Sequence, residues 1–584
     1  MYLLPLITLP LLISASPHPR KHTQTDPTVI LESCDNSITL TGRHDQSFDQ
    51  DLYLGIPYAQ PPIGPRRFRL PEPYTYNEDL VVQQHGPACL QAPNTTADGQ
   101  YGMSEDCLFL DVYAPHRPEC KHGELPVLVY IHGGSFIEGT ASIYNGSYLV
   151  ARSQEIGKPI ILVVTNFRLG IFGFGYGSGF AENGAANLAM RDNIAALQWV
   201  KEHIHSFGGD PNKVTVLGGS SGSVAISLLY LNPEFDLFRS AIMSSGSQNS
   251  PPMGPTGTTW EDAYQYLLQI TNCTTPQQGT NPFECLRSLP ADILLEGQFA
   301  LKADPRWSTS FIFGPSIDGD LIPKSPYELL EEGKFAKIPF IAGNVKDEGT
   351  VFTAPTVNAS SLFAVLKVIE PIDPSLMLLD ELQDAYPDDP SLGSPFDTGD
   401  ETFGLDPTSD HVSPLDGYKQ AAAIFGDVAF QAPRRHFLRA ANRHGLKDTW
   451  TYQFEQISPD RPAYLGVSHA TDVPYFFGTA RPGVGDAHYL QFNYTEQDHE
   501  LSDTMMNYWI NFIYHINPNP IASNEEECLV EWPRYNIAEE SRNTLKLQFG
   551  EVEVINDDYR EDAMNVIYSN YKQFNWKRET IESD

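Results

Sequence analysis

Short, continuous apolar runs alternate with amphipathic segments along this chain. Val127-Leu-Val-Tyr-Ile131 and Ile160-Ile-Leu-Val-Val164 have no polar side chain apart from one tyrosine hydroxyl, the pattern of strands buried on both faces. Between the second run and the next strand, Ile194, Leu197, Val200 and Ile204 share one helical face, and Gly208-Gly-Asp-Pro211 stops that helix. Val214-Thr-Val-Leu217 reads as a strand feeding the small-residue, then apolar, helix of Val224-Ala-Ile-Ser-Leu-Leu-Tyr230, and further strands fit Pro339-Phe-Ile-Ala342 and Trp450-Thr-Tyr-Gln-Phe454. Strands alternating with helices predict an α/β fold, with a large, mostly parallel central sheet flanked by helices. Functional groups are expected at the carboxyl ends of its strands.

Composition narrows the partners. The chain has 584 residues, 41% of them hydrophobic, enough for a large core. No internal repeat or long low-complexity linker divides it. Its 74 acidic and 38 basic residues leave a net charge of −36, which repels nucleic acid and anionic membranes and argues against both as partners.

The start of the chain, Met1-Tyr-Leu-Leu-Pro-Leu-Ile-Thr-Leu-Pro-Leu-Leu-Ile-Ser-Ala-Ser16, is an apolar stretch ending in small side chains. It is too short to span a bilayer and has the shape of a secretory signal. Residues 17–584 are expected to be one domain, secreted, with no stable membrane anchor. Five Asn-x-Ser/Thr sequons, at Asn94, Asn145, Asn272, Asn358 and Asn493, fit that compartment as glycosylation sites. The seven cysteines, Cys34, Cys89, Cys107, Cys120, Cys273, Cys285 and Cys528, include no Cys-x-x-Cys. Cys89 with Cys107, and Cys273 with Cys285, would each close a short loop, and the odd total leaves at least one thiol unpaired.

The chemistry concentrates after the Val214 strand, in Gly218-Gly-Ser220-Ser-Gly222. A strand that turns sharply into a helix presents the central serine on an exposed apex, and the flanking glycines make room for the turn. With 44 glycines in the chain, roughly three glycine pairs at this spacing arise by chance, so the strand and helix on either side carry the weight. A second signal follows the Val127 strand, where His132-Gly-Gly-Ser-Phe136 is a glycine-rich turn whose backbone N–H groups can hold a developing oxyanion.

With Leu54-Gly-Ile-Pro-Tyr-Ala59, Ser104-Glu-Asp-Cys-Leu-Phe-Leu110, Ser244-Ser-Gly-Ser247, Lys346-Asp-Glu-Gly349 and Gly466-Val-Ser-His469, these motifs run almost from end to end. Together they resemble the type-B carboxylesterase and lipase family of cholinesterase-like α/β-hydrolases, and Tyr386-Pro-Asp-Asp-Pro-Ser-Leu-Gly-Ser-Pro-Phe-Asp-Thr-Gly399 points to its fungal secreted branch. The resemblance implies Ser220 as nucleophile, Glu348 as acid and His469 as base, in the chain order of this fold. It also implies an oxyanion hole of the Gly134, Ser135 and Ser221 N–H groups, disulfides Cys89–Cys107 and Cys273–Cys285, a small-molecule ester as substrate, and no metal or cofactor. The pairing of Cys34, Cys120 and Cys528 stays open.

Two departures matter. Gly219 stands where the family usually has glutamate and Ser221 where it usually has alanine, so a negative charge near His469 is missing. The segment between Cys89 and Cys107 contains no tryptophan, which removes the aromatic site for a choline cation. That segment also offers little bulky apolar surface, so the expected substrates are dissolved, short to medium esters. The alternatives are a triacylglycerol or sterol ester lipase of the same family, a serine peptidase, and a non-catalytic binding or adhesion protein on the same scaffold.

Overall fold

The computed structural model describes residues 26–571 except 33–36, 94–100, 117–123, 251–257, 276–280, 305, 307–312, 354–375, 402, 404–416, 485–491, 521–528 and 539–541. The 1–16 leader, Asn94, Asn358, Cys34, Cys120 and Cys528 lie outside the described residues.

Eleven strands form one sheet: β1 (Arg43–Asp45), β2 (Gln50–Pro57), β3 (Phe109–Pro115), β4 (Leu125–Ile131), β5 (Ile161–Thr165), β6 (Gly209–Gly219), β7 (Ser240–Ser244), β8 (Phe340–Val345), β9 (Thr449–Phe454), β10 (Asn543–Leu547) and β11 (Glu553–Asn556). Their spatial order is β11-β10-β9-β8-β7-β6-β4-β5-β3-β2-β1. Strands β4 to β10 pair in parallel, and the two edges are antiparallel.

Every residue of β4, β5, β7, β8 and β9 is buried, as expected where helices cover both faces. Each fully buried valine, leucine or isoleucine there contributes about 1.5–3 kcal/mol of transfer free energy. Alternate residues feed two cores: Val127, Val129, Val163 and Val216 pack on one face, and Leu128, Tyr130, Leu162 and Leu217 on the other.

The helices that position the site are α1 (Leu188–His203), α2 (Ser221–Leu229), α3 (Tyr418–Gly426) and α4 (Ala432–Arg443). Helix α1 ends through a 3₁₀ turn at Gly208, whose φ of 89° suits glycine. Gly208-Gly-Asp-Pro is thus a helix stop, but β6 begins inside it at Gly209, with a register shift before Val214. Between α3 and α4 the backbone loosens into a π turn, Asp427–Gln431. Pro433, which has no N–H to continue the ladder, lies just beyond it.

Register fixes the site. Gly219 of β6 lies opposite Ser244 of β7, Ser244 opposite Gly343 of β8, and Gly343 opposite Tyr452 of β9. The chain therefore leaves β6, β7 and β8 side by side, at Ser220, Ser245 and the approach to Glu348. Both expected disulfides, Cys89–Cys107 and Cys273–Cys285, are formed.

Candidate active site

Ser220 sits between β6 and α2 with φ 55° and ψ −125°, a conformation that side-chain-bearing residues rarely adopt. Several contacts hold it there. Its N–H donates to the Ser244 carbonyl at 2.8 Å, and its own carbonyl accepts the Val224 N–H at 3.0 Å to start α2. The glycines around it are required by contact. A Cβ on Gly218 would meet the Gly222 backbone at 2.5 Å, and one on Gly222 would meet the Ile131 carbonyl at 2.0 Å. Ser220 occupies the N-cap position of α2, yet its hydroxyl caps nothing.

That hydroxyl faces His469 instead, with Oγ 2.8 Å from Nε2. His469 Nδ1 lies 2.6 Å from Glu348 Oε2. Glu348 is 1% exposed and His469 9%. The other Glu348 oxygen accepts from the Ser245 hydroxyl at 2.6 Å, the Asn344 amide at 2.9 Å and the Val345 N–H at 2.9 Å. A carboxylate surrounded only by donors fixes the His469 tautomer: Nδ1 carries the proton, and Nε2 offers a lone pair to Ser220. The rings of Phe430 and Phe352 stand 4.6 and 5.0 Å from the imidazole, and Phe430 comes from the π turn.

The glycine-rich turn after β4 closes on the same serine. A Cβ on Gly133 would come within 2.9 Å of Ser220 Cβ, and Gly134 has φ 115°. Ser135, in the place of a third glycine, takes φ 53°, so it adopts the left-handed conformation the turn needs. The N–H groups of Gly134, Ser135 and Ser221 have no protein acceptor among the described residues. Ser221 does more than the backbone role expected of it: its Oγ accepts the Phe136 N–H at 3.3 Å and ties the turn to α2. His132 stacks on Phe167 at 4.4 Å, and burial holds its pKa down at about 4, so it stays neutral.

Behind His469 lies a buried acid, three residues beyond the Gly466-Val-Ser-His469 motif. Asp472 is fully buried and its Oδ2 accepts from the Ser244 hydroxyl at 2.6 Å and from Tyr452 at 2.8 Å. Burial, helped by the charge of Glu348, pushes its carboxyl up to about 6 against the pull of both hydrogen bonds. The signal was the Asp three residues after His469. Of the sequons described, Asn272 and Asn493 are exposed, and half-buried Asn145 accepts the Ser147 N–H.

The chain is similar to known proteins over most of its length. The Carboxylesterase family profile matches residues 38–567. Lipase 2 of Geotrichum candidum is 31% identical, over 88% of this chain and 91% of its own. The para-nitrobenzyl esterase of Bacillus subtilis is 32% identical, over 88% and 95%. Among solved structures, Aspergillus niger EstA superposes with a TM-score of 0.79 at 25% identity, covering 94% of this chain and 99% of that one. The chain belongs to the carboxylesterase family, has its α/β-hydrolase fold, and is a carboxylic ester hydrolase.

Proposed function

We propose that the chain is a secreted carboxylesterase that cleaves uncharged esters through an acyl-enzyme on Ser220. The observation that carries this reading is the hydrogen-bonded line from Ser220 Oγ through His469 to Glu348. His469 Nε2 takes the hydroxyl proton as Oγ attacks the ester carbonyl, and the N–H groups of Gly134, Ser135 and Ser221 receive the oxyanion. Glu348 holds the imidazolium, which then passes its proton to the departing alcohol. Water, deprotonated by the same histidine, attacks the acyl-enzyme and releases the acid. These side chains account for every proton and electron pair. The intact line also weighs against a non-catalytic binding role.

The 1–16 leader belongs to the same reading, with 17–584 as one mature catalytic domain glycosylated at its sequons. Substrates are dissolved, short to medium esters, because the segment from Cys89 to Cys107 carries few bulky apolar residues. The second reading, a lipase, is favoured by the fungal lipases among its relatives. The test is the rate on a sparingly soluble triglyceride as its concentration crosses the solubility limit. A smooth saturation supports the esterase, and a sharp rise at emulsion formation makes it a lipase. A stoichiometric burst of nitrophenol from a p-nitrophenyl ester supports the acyl-enzyme, and a linear start with no acyl adduct detectable by mass refutes it.

A further inference from the structure

At the antiparallel edge of the sheet two histidines close around one carboxylate. Asp51 stands opposite His44 in the β1–β2 pair and opposite Ala114 in β2–β3. His116, two residues beyond Ala114, returns to the same face. The His116 N–H donates to the Asp49 carbonyl at 3.0 Å, which fastens the end of β3 to the β1–β2 turn. Asp51 Oδ1 lies 3.0 Å from His44 Nδ1 and 2.9 Å from His116 Nδ1. A carboxylate that takes the Nδ1 proton of each ring leaves the lone pair on the second nitrogen of both. The two ring centroids are 4.5 Å apart.

The His44 side chain is only 10% exposed, and its Nε2 faces Asp49 Oδ1 at 3.8 Å, beyond hydrogen-bond reach. One ligand atom from each of His44, Asp49 and His116 lies within 4.8 Å of the other two. We propose that His44, His116 and Asp49 bind a divalent transition-metal ion, zinc being the best match to two imidazoles and a carboxylate, while Asp51 orients both rings. Zinc held at about 2.1 Å by three tetrahedral donors needs them about 3.4 Å apart. The Asp49 side chain is 70% exposed and closes the gap by rotation. Water fills the fourth position. The ion staples the β1–β2 hairpin to β3 and takes no part in ester hydrolysis, and a net charge of −36 draws cations toward it.

The test uses full-length protein stripped with a chelator and titrated calorimetrically with zinc chloride. One ion per chain should bind and raise the thermal midpoint. The His44→Ala/His116→Ala double variant should lose about 100-fold in affinity, and Asp51→Asn about 10-fold. Cobalt(II) added to the stripped wild type should give the visible absorption of a tetrahedral nitrogen and oxygen site, a readout that needs no variant. Zinc uptake equal in wild type and double variant, or cobalt that remains spectroscopically aqueous, overturns the proposal.

Discussion

Glu348 turns its carboxylate to His469 Nδ1 at 2.6 Å, while its chain neighbour Asp347 turns the other way and accepts the Val467 N–H at 2.9 Å. Asp347 also accepts from the Ser394 hydroxyl at 3.0 Å and the Phe396 N–H at 2.9 Å. One of these adjacent acids orients the imidazole, and the other fastens the loop that carries it.

The two roles predict different failures. Glu348→Gln offers His469 a donor, favours the wrong tautomer and should lower kcat about 10³- to 10⁴-fold in a folded protein. Asp347→Asn should chiefly lower the thermal midpoint, since it weakens anchors of the His469 loop. Steady-state kinetics beside thermal unfolding separates them.

The elbow predicts unequal tolerance among three nearby glycines. A Cβ at Gly219 meets the Tyr130 hydroxyl at 3.2 Å and nothing else closer than 3.8 Å, so Gly219→Ala should fold and stay active. Gly218→Ala and Gly222→Ala drive a Cβ into backbone and should abolish soluble expression or activity. Expression yield and ester turnover of the three variants check this.

Much of this was readable from the chain because the parallel block is built of continuous apolar runs. Strand β4 announces itself in Val127 to Ile131. The β8 segment is legible only to Ala342, since Gly343 and Asn344 look like a turn; in the fold Gly343 extends the strand because the Tyr452 ring packs where a side chain would stand. Of the site, Ser220, His469 and Glu348 are marked by local motifs. The Asp472 network and the Phe430 contact are not, because they join residues distant in sequence through the sheet register and a π turn.

Asp472 sets a pH dependence with a definite sign. Its folded pKa of about 6 lies above the ordinary carboxyl value of 3.8, so the fold favours the protonated form, and this preference costs stability as pH rises from about 4 to about 6. Two units correspond to about 3 kcal/mol. Asp472→Asn keeps acceptors for Ser244 and Tyr452 without that cost. Its thermal midpoint relative to wild type should therefore climb between pH 4.5 and 7, and a constant difference contradicts the assignment.

The Cys273–Cys285 bridge joins residues 12 apart, and loop-closure entropy at that length is worth about 3 kcal/mol. Replacing both cysteines by serine should lower the thermal midpoint by several degrees and leave KM for a small ester unchanged. Non-reducing peptide mapping of the wild type should recover the linked pair.

The central claim is that Ser220 is the nucleophile, and covalent labelling addresses it most directly. Intact-mass analysis after exposure to a reactive organophosphate should show one adduct per chain, located on the Ser220 peptide, with activity lost in proportion. Ser220→Ala should take up no adduct and hydrolyse no ester while melting close to wild type, and Ser221→Ala should still be labelled. An adduct of equal yield on Ser220→Ala would contradict the account.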